Sequence, residues 1–194
     1  MPSATATRGA ATRAAILDRG VDLASAEGLE ALSIGRLASD LGMSKSGLFA
    51  HFGSKQDLQL AIVDAAAMRF REAVIEPVKE APDGAPRLRA MASAYISHLQ
   101  SNGYSGGCFW AATSAEYDDR PGPVRDAIAG ALDAWLAELE RQARLAGVAE
   151  PERLAFELYA LVMGANSRYR LAGDRRVFDY ARDSAAALLA ELPQ

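Results

Sequence analysis

The sequence predicts an all-α fold of about nine helices. Apolar residues recur at intervals of three and four along most of the chain, which is the spacing of one face of a helix. Alanine supplies roughly a fifth of the 194 residues and aromatic residues only 7%, whereas sheets are rich in β-branched and aromatic side chains. Half of the residues are hydrophobic and 24% are charged. This composition indicates a globular protein with one large domain or two small ones.

Three helices are predicted in the first 55 residues. An apolar face at positions i, i+4 and i+7 indicates a helix over about residues 11–27. Two short helices follow, with Ser33 and Ser44 as their N-caps. Gly42 lies between them, where a turn requires a left-handed residue. We therefore predict an N-terminal helix-turn-helix domain over residues 1–55.

A long fourth helix, over residues 54–75, is predicted to link this domain to a second one at 76–194. The segment 76–87 contains three prolines, which interrupt helices. The net charge is +1 for residues 1–55 and −5 for the remainder. We therefore expect an anionic partner to bind the N-terminal quarter of the chain.

Five more helices are predicted in the second domain. Their apolar stripes and the glycine and proline breaks place them at about residues 88–99, 108–116, 123–146, 151–171 and from 174 onward. The helix from Pro151 carries two apolar stripes, and the last helix is rich in small residues. We expect these two helices to form a homodimer interface. The predicted dimerisation residues are Leu154, Leu158, Leu161, Val162, Ala165, Ala181, Ser184, Ala185 and Leu188.

Several classes of protein are disfavoured by what the sequence lacks. Cys108 is the single cysteine, so an internal disulfide is excluded, and no clustered Cys/His set predicts a metal site. No motif of a metalloprotease, phosphate-binding loop or serine hydrolase occurs, so neither an enzyme nor a cofactor is expected. The N-terminal residues lack an apolar core, and no apolar run approaches the ~20 residues of a membrane span. We expect a cytoplasmic protein.

The segment SIGRLASDLGMSKSGLFAHF, residues 33–52, has the plan of a helix-turn-helix. Ala38 is small where the two helices cross, and Leu48 packs the second helix onto the first. The second helix presents Lys45, Ser46 and Gly47 near its N-terminus. These residues could reach base edges or phosphates in the major groove of DNA.

Residues 33–58, with a helix before them, resemble the DNA-binding domain of the TetR (tetracycline repressor) family. The segment GGCFWAATSAEYDDRPGPVRD resembles part of the C-terminal domain in a subset of that family. Phe49 stands where the family usually has tyrosine, so it lacks a hydroxyl that could bind phosphate. Lys55 matches a lysine that contacts phosphate beside a helix N-terminus. The DNA-binding residues implied by the resemblance are Ser33, Ser44, Lys45, Ser46, Gly47, Phe49, His51 and Lys55.

Aromatic and polar residues of the second domain could line a pocket for a small molecule, although each could equally belong to a helical core. The candidates are Met91, Tyr95, His98, Phe109, Trp110, Tyr117, Trp135, Phe156, Tyr159 and Asn166. The hypothesis is a ligand-responsive transcriptional repressor that binds a palindromic operator as a homodimer and is released by a small apolar or aromatic effector. The alternative is an α-helical small-molecule-binding or carrier protein without specific DNA binding.

Overall fold

The computed structural model describes residues 4–101, 103–190 and 192, and for residues 4–8 it describes the backbone only. These residues form nine α-helices and no strand, so the predicted all-α fold is confirmed. The helices are α1 (Ala4–Glu27), α2 (Ile34–Asp40), α3 (Lys45–Phe52), α4 (Lys55–Phe70), α5 (Ala85–Gln100), α6 (Phe109–Tyr117), α7 (Pro123–Leu145), α8 (Pro151–Ala172) and α9 (Arg176–Leu188). A π-helical turn, Arg71–Ile75, continues α4 and is followed by a 3₁₀ turn, Glu76–Val78.

The predicted helix boundaries differ from the observed ones mainly at two places. Helix α1 begins at Ala4, before the predicted start near residue 11. Alanine-rich sequence extends the helix there without an apolar stripe, because alanine has a high intrinsic helix propensity. The predicted fourth helix ends as a π-helical turn, in which the carbonyl groups accept hydrogen bonds from residues five positions later.

The described residues pack into two compact units. The first runs from α1 to Met68 and includes Tyr104–Ile128; the second comprises Arg69–Gly103 and the chain from Ala129 onward. Two of the three boundaries therefore fall within helices, α4 and α7, and the third falls in the loop before α6, which belongs with the N-terminal helices. These units do not coincide with the predicted division into 1–55 and 76–194, which stays a prediction.

In the first unit, α1 to α4 surround a buried core of aliphatic side chains. Ile16, Leu37, Leu48 and Ile62 each have less than 2% of their surface exposed. Helix α1 approaches α4 closely at Gly20, where a Cβ atom would lie 2.9 Å from Ile62 Cδ1. Helix α6 also packs against α1. Burial of these apolar side chains is the main source of stability for the helix-turn-helix.

The loop before α6 is held against the end of α1. The Gly106 N–H donates to Ser25 Oγ at 3.0 Å, and Ser105 Oγ donates to the Asp22 carbonyl at 3.0 Å. A Cβ atom at Gly106 would lie 2.0 Å from the Ser25 carbonyl oxygen. This contact therefore requires glycine.

In the second unit, α9 packs against both α5 and α8. The Gln142 side chain is fully buried and fixes the loop before α5 to α7. Its Oε1 accepts from the Gly84 N–H at 2.7 Å, while its Nε2 donates to Asp83 at 3.0 Å and to Glu138 at 2.9 Å. A buried amide with these three hydrogen bonds is well satisfied.

No helix among the described residues is both long enough and apolar enough to cross a membrane. No group of three or more His, Cys, Asp and Glu side chains in those residues could hold a metal ion.

Candidate nucleic-acid interface

Helices α2 and α3 form the predicted helix-turn-helix. Ser33 Oγ accepts from the Arg36 N–H at 3.1 Å, and Ser44 Oγ accepts from the Gly47 N–H at 3.0 Å, so both predicted N-caps are confirmed. Ala38 and Leu48 are buried within the first unit. Gly42 has φ +64°, the left-handed conformation predicted for the turn.

One side of α3 faces away from the core of the first unit. Lys45, Ser46, Phe49 and Ala50, which we call the α3 outer face, are all exposed. Residues four apart lie on the same side of a helix, so Lys45 is next to Phe49 and Ser46 next to Ala50. Phe49 is 52% exposed. This face combines a cation, a hydroxyl and apolar groups, which are the chemical types that bind base edges in a major groove.

A shallow cleft of about 450 Å³ separates the α3 outer face from the start of α2, and Ile34 and Gly35 form its other side. A Cβ atom at Gly35 would lie 2.9 Å from Lys45 Cε. The aliphatic part of Lys45 therefore lies over the glycine.

The other predicted DNA-binding residues have capping or packing roles in the structure. These roles leave open whether the residues also contact DNA. Ser33 and Ser44 cap helices, and Gly47 is half-buried beside Ser44. His51 is half-buried and its ring is tilted against Phe52, with the ring centroids 6.2 Å apart. Their contacts to DNA stay predictions.

Lys55 forms an ion pair at the start of α4. Its Nζ lies 2.7 Å from Glu30 Oε1 and donates to the Glu30 carbonyl oxygen at 2.6 Å. A DNA phosphate would therefore compete with Glu30 for this ammonium group. The phosphate contact of Lys55 also stays a prediction.

Glu30 contacts three side chains, and together they form what we call the Glu30 cluster: Glu30, Lys55, Gln59 and Tyr117. Tyr117 Oη donates to Glu30 Oε2 at 3.0 Å, and Gln59 Nε2 lies 3.1 Å from the same oxygen. The Lys55 ammonium, followed by the Gln59 amide, lowers the pKa of Glu30 to about 2. Burial, followed by the hydrogen bond to Glu30, raises the pKa of Tyr117. Tyr117 is therefore a neutral hydrogen-bond donor at pH 7.

Glu116, next to this cluster, holds the loop between α1 and α2. Its carboxylate accepts from the Leu29 N–H at 2.7 Å and from the Glu30 N–H at 3.1 Å. Gly28 makes room for it, because a Cβ atom there would lie 2.6 Å from Glu116 Oε1. Glu116 was not among the predicted site residues, because its partners are 86 and 87 residues away in the chain.

Glu30→Gln is expected to make the stability of the protein less dependent on pH in acid. A carboxylate with a lowered pKa contributes its full stabilisation above the usual value of 4.5, and this is lost as the pH falls toward about 2. Urea unfolding at several pH values in that window should therefore show a shallower loss of unfolding free energy for Glu30→Gln than for the wild type. Glu80→Gln, at an exposed position, serves as the matched control. Equal pH slopes for wild type and Glu30→Gln would contradict the prediction.

The predicted ligand-binding residues are divided between the two units. In the second unit, Tyr95 and Trp135 pack edge to face at 5.5 Å, and Phe70 contacts both at 4.8 and 5.1 Å. We call these three residues the aromatic cluster. Met91, one turn before Tyr95 on α5, is buried, and His98 packs edge-on against Phe70 at 6.3 Å. Phe70, the last residue of α4, was not among the predicted ligand-binding residues.

The remaining ligand candidates are placed elsewhere. Phe109 and Trp110 pack edge to face at 5.2 Å in the first unit, and Tyr117 is in the Glu30 cluster. On α8, Asn166 is buried and Tyr159 half-buried, whereas Phe156 is 66% exposed.

Two polar groups in or next to the aromatic cluster have unusual environments. Trp135 is only 6% exposed, and its Nε1–H has no hydrogen-bond partner among the described residues. A buried donor in this state costs about 1–3 kcal/mol. Burial, assisted by the positive charge of Arg69, lowers the pKa of His98, so its ring is neutral at pH 7. The cluster therefore has a donor suited to a hydrogen-bond acceptor in an apolar setting.

The structure divides the predicted dimerisation residues between buried and surface positions, and their contact with a second copy stays a prediction. Six of the nine are buried within the second unit, where α5, α8 and α9 pack against one another. The buried residues are Leu154, Leu158, Val162, Ala165, Ala181 and Ala185. Ser184 and Leu188 are exposed and Leu161 is half-buried, in agreement with a surface position.

The exposed side of α8 and α9 is nevertheless apolar. We call Phe156, Ala160, Leu161, Ser184 and Leu188 the α8–α9 outer face. Two shallow grooves of about 390 and 560 Å³ run along it. The signal in the sequence was the presence of two apolar stripes on α8, which predicted burial on two sides but not which side faces outward.

Two protein families match this chain, one over the helix-turn-helix and one over most of the residues after it. The family "Bacterial regulatory proteins, tetR family" matches residues 16–62, and the family "Tetracyclin repressor-like, C-terminal domain" matches residues 84–185. No curated protein sequence matches the chain significantly.

Several solved structures have the same fold. A TetR transcriptional regulator from Chloroflexus aurantiacus is 23% identical with a TM-score of 0.86, and the match covers 95% of this chain and 97% of that one. A TetR-family regulator from Streptomyces coelicolor is 24% identical with a TM-score of 0.82, over 96% and 97% of the two chains. AibR, solved in complex with isovaleryl coenzyme A and operator DNA, is 23% identical with a TM-score of 0.75, over 91% and 98%.

The two family matches together cover the helix-turn-helix and more than half of the chain. They favour a DNA-binding regulator over a carrier protein that does not bind DNA. The chain belongs to the TetR family of transcriptional regulators.

Proposed function

We propose that the protein is a cytoplasmic repressor that binds a palindromic operator as a homodimer and releases it when a small apolar or aromatic effector binds. The observation that carries the proposal is the α3 outer face, an exposed set of DNA-compatible side chains on a helix-turn-helix. Palindromic recognition follows if two copies are related by a twofold axis, because each copy then presents one α3 to one half-site.

Lys45→Ala is expected to lower operator affinity about tenfold, because Lys45 is the cation on the α3 outer face. The operator is first selected from random DNA with the wild-type protein, and affinity is then measured by fluorescence anisotropy over a range of salt concentrations. If Lys45 binds phosphate, the salt slope decreases by about one and all DNA sequences are weakened equally. If it binds guanine, the loss is confined to the selected sequence.

Lys79→Ala is the matched control, because Lys79 is an exposed lysine outside the helix-turn-helix. Unchanged operator affinity for Lys45→Ala would show that the α3 outer face does not bind DNA in the proposed way.

The effector is proposed to bind at the aromatic cluster. Aromatic side chains favour a flat apolar molecule, and the Trp135 N–H favours one that carries a carbonyl, carboxylate or sulfonate oxygen. Phe70 ends the helix that Lys55 begins, so an effector that displaces Phe70 moves a helix of the DNA-binding region. AibR, which has a similar fold, is likewise solved with a small molecule and operator DNA.

An aromatic probe with a hydrogen-bond acceptor is expected to change tryptophan fluorescence and to release the operator over the same concentration range. Anilinonaphthalene sulfonate, benzoate and salicylate are suitable probes. A 100-fold loss of operator affinity requires about 2.7 kcal/mol of coupling between the two sites. Trp135→Phe keeps the ring but removes the N–H, so we expect it to weaken the probe about tenfold while DNA binding without probe is unchanged. Release that is equally effective from Trp135→Phe would exclude this donor from the effector site.

A further inference from the structure

We propose that the cleft between α2 and the α3 outer face binds the 5-methyl group of a thymine in each half-site of the operator. The proposal rests on the DNA contact of α3 and adds to it the base that this protein selects. It makes Phe49 a specificity-determining residue.

The first observation is the exposure of Phe49. Among the described side chains of α1, α2 and α3, it is the one large apolar side chain that is more than half exposed. A phenyl ring has no group that can bind a phosphate. Contact with another apolar group is therefore the favourable interaction open to it on this face.

The second observation is the chemistry of the cleft. Ile34, Phe49 and Ala50 supply apolar side chains, while Lys45 and Ser46 contribute polar groups to the same lining. In the major groove, thymine presents a methyl group next to the O4 acceptor, and a neighbouring purine presents N7. The apolar side chains of the cleft therefore complement the thymine methyl group, which cytosine does not have.

Gly35 keeps the cleft open and positions its cation. A side chain at Gly35 would occupy the space where Lys45 Cε lies, since a Cβ atom would be 2.9 Å from it. Lys45 can therefore lie across the start of α2 while Phe49, one turn further along α3, remains exposed. Lys45 and Phe49 are therefore neighbours on one face of α3, and both side chains line the cleft.

The test removes methyl groups from the DNA without changing any hydrogen bond. In the operator selected by the wild-type protein, each thymine is replaced in turn by deoxyuridine, and affinity is measured by anisotropy. At one position in each half-site the substitution is expected to lower affinity about fourfold, because one buried methyl group contributes about 0.8 kcal/mol. At that position 5-methylcytosine is expected to bind more tightly than cytosine.

Protein variants identify the side chain responsible. Phe49→Ala is expected to bind the thymine and deoxyuridine operators equally, whereas Phe49→Leu keeps the difference. Met68→Ala is the control, because Met68 is an exposed apolar side chain of α4 outside the cleft. Circular dichroism verifies that each variant is folded.

Three results would overturn the proposal, and they have different consequences for the repressor proposal. If every deoxyuridine operator binds as tightly as its parent, or if Phe49→Ala keeps the full difference, the cleft does not bind a thymine methyl group and the repressor proposal is unaffected. If the wild-type protein selects no sequence from random DNA, both proposals fail.

Discussion

Replacing Gly106 with alanine is expected to destabilise the first compact unit by about 3 kcal/mol or more. The new Cβ atom would lie 2.0 Å from the Ser25 carbonyl oxygen and 2.3 Å from the Ala26 nitrogen. Both are backbone atoms at the end of α1, so no side-chain rotation can relieve the overlap. The loop before α6 must move away, and the hydrogen bonds from Gly106 and Ser105 to α1 are then lost. Overpacking of this kind typically costs about 1–3 kcal/mol, and backbone displacement adds to it.

Gly130→Ala is the control for Gly106→Ala. Gly130 lies within α7 and has no heavy atom within 4 Å of the position of a new Cβ atom. Its replacement should raise stability by up to about 1 kcal/mol, because alanine is the better helix former. Thermal and urea unfolding of the two variants should therefore change in opposite directions. Equal midpoints for Gly106→Ala and the wild type would mean that the loop does not pack on α1 as described.

Leu161→Glu is expected to convert the proposed homodimer into monomers at micromolar concentration and to weaken operator binding at least 100-fold. Leu161 is half-buried in the protomer and lies on the α8–α9 outer face. A carboxylate buried there between two copies would have no partner, which is strongly unfavourable. Operator affinity falls with the dimer, because two linked α3 helices bind far more tightly than one.

Two further variants make the dimer test specific. Phe156→Glu changes a side chain that is already 66% exposed, so it cannot disrupt the core of the protomer. Leu145→Glu introduces the same charge at an exposed leucine at the end of α7 and should leave the dimer intact. Light scattering coupled to size exclusion measures the mass directly. A dimer that persists in both Leu161→Glu and Phe156→Glu would exclude the α8–α9 outer face as the interface.

The features that the sequence predicted correctly are local ones. The N-caps Ser33 and Ser44 and the turn at Gly42 depend on residues within four positions of one another, and the structure confirms all three. The all-α fold follows from helical periodicity over the whole chain, and that prediction is confirmed as well.

The features that the sequence did not show depend on contacts between residues far apart in the chain, or on which side of a helix faces the core. The clamp of Glu116 on Leu29 joins residues 87 positions apart, and nothing in a single sequence identifies such a pair. Helical periodicity revealed two apolar stripes on α8 but not which one faces the core, because periodicity carries no information about the neighbours of a helix. Lys55 likewise matched a family pattern that could not show its ion pair with Glu30.

That ion pair has a consequence for operator affinity and not for its dependence on ionic strength. A lysine that moves from bulk solvent to a phosphate displaces a condensed cation from the DNA, and each such contact steepens the salt dependence of binding. Lys55 would instead leave its ion pair with Glu30. A lone carboxylate does not condense a counterion as the DNA polyanion does, so the cation displaced from the DNA would still be released. The salt dependence of this contact would therefore be that of an ordinary phosphate contact, while its favourable free energy would be reduced by the lost attraction to Glu30.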